Sequence, residues 1–327
     1  MSQQESDLRP SGIGDTHPVV RPIHHDLNRG GGPADPVHSF MAAMSEYGVQ
    51  PSDPRRVVPD GQIHRFHVVG DRAGTANGWC VLRLDGLPGG AFGSWRTGVT
   101  QTWCAYDRRR LAPADRAALD QQLAAARAER DREIHRQHST AAGRAARIWS
   151  DSRPADSGHP YLRDKRVPPL EARQYGDQLV LRIVDLASRE LTSLQFISAD
   201  GGKKLLAGGK KRGCVIHVAG RMPGARRVLI SEGWATGASL AALEPDALVL
   251  AAIDAGNLEP VAKAARREWP AVDLVICADA DPVGIQKARA AAIAAGALIS
   301  IPPFPKDASG SDWNDYVNAG FGGIDHG

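Results

Sequence analysis

From Arg227 to Pro303 short apolar runs alternate with helix-forming stretches, and this pattern constrains the fold more than any other feature of the chain. RRVLIS, ALVLAAID, VDLVICAD and ALISIPP have the apolar content of strands whose two faces are both covered. Between them, ATGASLAAL, NLEPVAKAARREW and PVGIQKARAAAIAAG carry helix formers, with Pro282 suited to a first helical turn. The alternation predicts a doubly wound α/β domain with a parallel sheet over residues 223–327. In such a sheet the C-terminal strand ends open on one edge, where ligands bind. Glu232 directly follows the first strand, Asp279 follows the third, and Asp281 lies two residues further on. Acids at that edge are poorly placed for a core, and when they converge they repel unless a cation sits among them. Hard oxygen donors suit Mg²⁺ or Mn²⁺, which keep waters and take phosphate oxygens. Polymerases hold metals in this way for phosphoryl transfer. The ordinary alternative is that the acids cap helices, and Asp281, just before Pro282, is placed to start one.

Upstream the texture differs. Residues 1 to about 35 are rich in Pro, Gly, His and Asp and can bury little, so the segment 1–50 reads as a disordered tail, its His24–His25 pair solvated. Residues 51–110 read as a small β-rich module, with hairpin signals at Asn77-Gly78 and Asp85-Gly86. Its Phe92, Trp95 and Trp103 either stack on single-stranded nucleic acid or form the module's own core. Residues 111–150 predict a helical linker opened by Pro113, with a thin apolar stripe that bridges modules. Residues 151–222 return to short strands in a mixed α+β segment whose glycine-rich turns carry Lys203, Lys204, Lys210, Lys211 and Arg212. Cationic tips on flexible backbone can meet phosphates; a merely soluble hairpin tip is the alternative.

The 327 residues suit about two domains with a real core, and no apolar run is long enough to span a bilayer. The opening MSQQESDLRP has no apolar segment of the secretory kind, so the expected compartment is the cytoplasm. A formal net charge of +3 permits a nucleic-acid partner without demanding one. The four cysteines form no CxxC pair, so neither a zinc ribbon nor a disulfide framework is expected.

Together, SEGWATGASLAAL, CADADPVGIQKARAAA and GSDWNDYV resemble the Toprim domain of plasmid and phage DNA primases, the group related to conjugative-transfer primases. VPDGQIHRFHVVGD, NGWCVLRLDG, HPYLRDKRV and LQFISADGGKKLLAGGKKRGC are also similar to that group, extending the resemblance to most of the chain from about Pro59. The resemblance implies that Glu232 is an acid/base or a metal ligand, that Asp279 and Asp281 bind metal, and that Asp312 helps hold a second ion. It implies that the basic loops hold template and nucleotide, and that Lys287 is the basic residue following the acid pair. Asn314 and Thr236 stand where such primases often carry Asp, which leaves the number of metals open. His159 reads as a turn or packing histidine.

The expected activity is therefore synthesis of short RNA primers from NTPs on a single-stranded DNA template, with a separate replicative helicase as partner and no membrane. A Toprim-type nuclease and a degenerate primase acting as a replication adaptor are the alternatives. No G-x-x-x-x-G-K-[ST] motif, the mark of an ATPase partner domain, occurs in the sequence.

Overall fold

A computed structural model describes residues 35–305 and 309–321, so the expected disorder of residues 1–34 and the pair His24–His25 lie outside it. The chain divides into two units, residues 1–134 and 135–327.

The first unit opens with helix α1 (Pro36–Glu46), which corrects the reading of residues 36–46 as part of a disordered tail. Asp35 caps it, accepting the N–H groups of Val37 and His38, and Pro36 sits in the first turn. Phe40, Ala43 and Met44, at helical spacing, supply the buried face that overcomes the polar composition around them. They cover an antiparallel sheet of β1 (His64–Phe66), β2 (Gly78–Arg83), β3 (Gly89–Ser94) and β4 (Thr100–Cys104), in that order. Phe40 meets Phe92 and Trp103 edge-on, at 5.4 Å in each case. Gly90 permits the close packing, because a Cβ there would stand 2.3 Å from the Val81 carbonyl oxygen. Phe92 and Trp103 are thus core residues, and Trp95 is half-buried and stacked on Trp79. Asp85-Gly86 does make the β2–β3 turn, with Gly86 at φ +78°. Asn77-Gly78 does not: Gly78 begins β2, with the Phe66 ring lying where its side chain would be.

Helix α2 (Pro113–Asp151) starts at the proline and continues into the second unit. Its thin stripe packs at both ends: Leu119, Leu123 and Ala126 are buried, as are Ala141 and Ala145.

In the second unit, α3 (Pro160–Lys165) lies between β5 (Arg153–Pro154) and β6 (Arg173–Tyr175). The chain then forms β7 (Gln178–Asp185), β8 (Leu191–Ile197), β9 (Lys203–Leu205) and β10 (Cys214–Ala219). The alternating region supplies β11 (Arg227–Ser231), α4 (Trp234–Leu243), β12 (Leu248–Ala251), α5 (Leu258–Glu268), β13 (Asp273–Cys277), α6 (Pro282–Ala295), β14 (Leu298–Ser300) and α7 (Trp313–Asn318). All ten strands belong to one sheet, ordered β14-β13-β11-β12-β10-β7-β6-β5, with β8 and β9 branching from β7. The two segments divided at about residue 222 in the sequence therefore share a single sheet, joined where β10 pairs antiparallel with both β12 and β7.

β11, β12, β13 and β14 pair in parallel, as the alternating pattern predicts. The chain steps from β11 to β12 in one direction and then returns past β11 to β13 and β14. Right-handed crossovers in opposite directions place their helices on opposite faces. Accordingly α4 packs with Leu229, Val249 and Val275 on one face, while α5 and α6 cover Val228, Ile230 and Ile276 on the other. The reversal of strand order at β11 makes the C-terminal ends of β11 and β13 the expected crevice.

Candidate metal and nucleotide site

Glu232 and Asp279 occupy that crevice, Glu232 one residue beyond β11 and Asp279 two residues beyond β13. Glu232 is half-buried and accepts the backbone N–H of Ala255; burial, with Asp254 and Asp281 nearby, raises its carboxyl above the usual range. Asp279 is pushed up to about 7, first by burial and then by the charges of Glu232, Asp312 and Asp281. Its Oδ1 is buried without a hydrogen-bond partner. Such an orphaned oxygen costs free energy unless something cationic or donating meets it.

The remaining two acids serve as helix caps. Asp281 Oδ1 accepts the N–H groups of Val283 and Gly284, both at 2.9 Å, so the ordinary reading of this residue holds locally. The cap uses only Oδ1. Asp312 begins α7, with Oδ1 accepting the Asp315 N–H at 2.9 Å and Oδ2 accepting the Thr236 hydroxyl at 3.3 Å. Asp315 in turn accepts the Ser311 N–H at 3.0 Å, fixing the approach to the helix. A helix N-terminus stabilises a carboxylate, so capping and ion binding are compatible roles for one side chain.

Among the described residues no three His, Cys, Asp or Glu side chains converge into a closed metal cluster. The four carboxylates instead border a shared, water-accessible edge, near enough for their charges to act on Asp279. Oxygen-only donors with one orphaned atom suit a hard divalent ion that keeps much of its water. The residues present therefore fit Mg²⁺ or Mn²⁺ better than a caged metal.

Sequence reasoning missed Asp254, which follows β12 as Glu232 follows β11 and adds its charge to Glu232. The rule that singled out Glu232, an acid at a strand end, also applied to the last residue of ALVLAAID. Ile253 before it has φ +80°, a strained conformation for a β-branched residue of the kind that clusters at functional sites.

The basic cluster is divided. Lys203 reaches the acids: its ammonium lies 3.6 Å from where a Gly233 Cβ would stand, and its charge acts on both Glu232 and Asp279. Lys204 is exposed on the same short strand. Lys210 is paired with Asp185 and Lys211 with Asp254, each at 2.6 Å, while Arg212 is exposed. Lys287 is exposed on α6.

Asn314 is 1% exposed and donates to the Lys165 carbonyl and the Ser239 hydroxyl, holding α7 to α3 and α4. Thr236 bonds Asp312. His159 caps α3, accepting the Tyr161 N–H on Nδ1 with Nε2 at 2.9 Å from the Asp177 carbonyl, a turn and packing role.

Residues 227–320 match the family model of the Toprim domain. Two proteins named DNA primase TraC, both from Escherichia coli, are similar to most of the chain. One is 34% identical over 286 residues, covering 82% of this chain and 26% of that protein. The other is 32% identical over 291 residues, covering 84% and 20%. The chain thus spans about a quarter or less of the length of these relatives. The primase fragment of the bacteriophage T7 primase-helicase aligns with 14% identity and a TM-score of 0.39, covering 52% of this chain and 71% of that one. The parallel sheet and the sequence match over residues 227–320 agree: this chain carries a Toprim domain and is similar over most of its length to proteins named DNA primase.

Proposed function

We propose that the protein is a metal-dependent primase, joining NTPs into short RNA primers on single-stranded DNA. The observation that carries this reading is Asp279, a half-buried carboxylate with an orphaned oxygen beside Glu232 at the crevice of a Toprim sheet. Similarity to proteins named DNA primase supports the same reaction.

Asp279 and Glu232, with Asp281 Oδ2 and Asp312 completing the donor set, would hold Mg²⁺ or Mn²⁺. When bound, such ions make a 3′-hydroxyl more acidic and steady a leaving pyrophosphate. Glu232, raised by burial and held by the Ala255 N–H, would accept the hydroxyl proton at its carboxylate. Lys203, over the Glu232–Gly233 turn, would meet the triphosphate. Lys204 and Arg212 would supply further positive charge for nucleotide or template, and Lys210 and Lys211, held by Asp185 and Asp254, would fix the loop that carries Arg212. The reading also implies a cytoplasmic setting, a plasmid or phage replication system and a helicase on a separate chain. No described helix is long and apolar enough to cross a membrane.

The test is primer synthesis with labelled NTPs, single-stranded DNA and either ion. Glu232→Gln keeps size and hydrogen bonding but removes the charge. It should lower the rate about 100-fold or more while template binding holds. Equal priming by wild type and variant would reduce Glu232 to a strand-end surface acid.

A further inference from the structure

Behind the loop Lys210–Arg212 the second unit contains an open recess of ≈ 560 Å³, walled by that loop, by Lys263 and Arg267 of α5, and by His138 of α2. The α5 wall was not legible as basic surface in the sequence, where Lys263 and Arg267 look like ordinary residues of an amphipathic helix. They stand four residues apart on one helix face, about 6 Å along the axis.

The charges of this recess do not balance. Asp185 answers Lys210, Asp254 answers Lys211, and Glu259 answers Lys263. Arg212 and Arg267 have no ion pair or side-chain hydrogen bond among the described residues. Neighbouring arginines are differently employed: Arg266 donates to the carbonyls of Pro270, Val272, Ala295 and Gly296, and Arg189 pairs with Glu268. His138 is held below its usual range by burial and by the nearby charges of Lys210 and His135, as an imidazole in a positive field would be.

We propose that this recess is a track for the phosphate backbone of a single strand of nucleic acid, running from the Lys211–Asp254 pair along α5 to Arg267. The proposal rests on the primase reading for the source of the strand, and adds α5 to its binding surface. One end of the track touches the acidic edge, since Asp254 faces Lys211 on one side and acts on Glu232 on the other. The other end lies a helix length away, so a strand held there is guided past the acids instead of merely captured at them. Unpaired guanidinium groups suit this task, offering planar donors to successive phosphates at low desolvation cost.

The experiment compares wild type with Arg212→Gln/Arg267→Gln, using a labelled oligothymidylate of roughly 16 nucleotides across a salt series. Losing two phosphate contacts should reduce the slope of log affinity against log salt by about 1.4. Both side chains are exposed, so the thermal midpoint should stay unchanged. An unchanged slope at an unchanged melt would overturn the track. So would a variant that keeps its affinity for the oligonucleotide but loses affinity for polyglutamate, which would make the recess a site for an acidic protein. Primer synthesis is measured alongside on the same samples. A wild type that makes no primers while the slope still drops would remove the primase reading and leave the track standing; priming with an unchanged slope would do the reverse.

Discussion

Replacing Asp279 with Asn tests the acidic crevice through stability alone, independent of any assay of synthesis. In the folded protein Asp279 holds its proton up to about 7, whereas an unfolded chain releases it near 4. Below about pH 4 both states are protonated and the residue contributes no difference. As pH rises from 4 to 7 the unfolded chain ionises first, so the wild type loses stability through this window and levels off above the folded value. A gap of about 3 in pKa corresponds to about 4 kcal/mol at full weight. The crevice is open to water and the neighbouring acids are partly screened, so about 2 kcal/mol is the reasonable expectation. For a unit of this size that corresponds to about 4–8 °C in Tm. With a chelator present, Asp279→Asn should therefore melt higher than wild type at pH 8 and together with it near pH 4. Adding millimolar Mg²⁺ should raise the wild type and leave the variant unmoved, because only a state that binds the ion gains from it. Parallel melting curves for the two proteins across the pH range, or a less stable variant at pH 8, would refute the crowding of charge on Asp279.

Two further substitutions probe the surroundings. Asn314→Asp should cost about 3 kcal/mol in a urea titration, because it removes the donor facing the Lys165 carbonyl and buries a charge; a stable variant that binds Mg²⁺ more tightly by calorimetry would instead place residue 314 in the ion site. Phe40→Ala should cost about 3–5 kcal/mol, followed by tryptophan fluorescence, since its ring is wholly buried against Phe92 and Trp103; a loss below about 1 kcal/mol would mean that α1 is not part of that core.

Sequence alone determined the Toprim sheet. The runs at 228–230, 248–251 and 274–277 are apolar and buried, as in strands covered on both sides, while the edge run at 298–300 is partly exposed. Their order along the chain, with the right-handedness of crossovers, then placed Glu232 and Asp279 on one edge. Asp281 as a helix cap was equally legible, because a cap depends on residues within one turn. α1 was not, since Phe40, Ala43 and Met44 are a helix face only when a sheet is present to bury them. Nor could local pattern separate Asn314 from the metal positions: its role depends on the Lys165 carbonyl, 149 residues away in sequence. The division of the basic cluster was likewise decided by the fold, which set Lys203 over the acids and paired Lys210 and Lys211 with Asp185 and Asp254. Hydrophobic periodicity is a property of neighbouring residues and survives in the bare chain. Charge pairing is a property of distance in space, and only the packed sheet and helices set those distances.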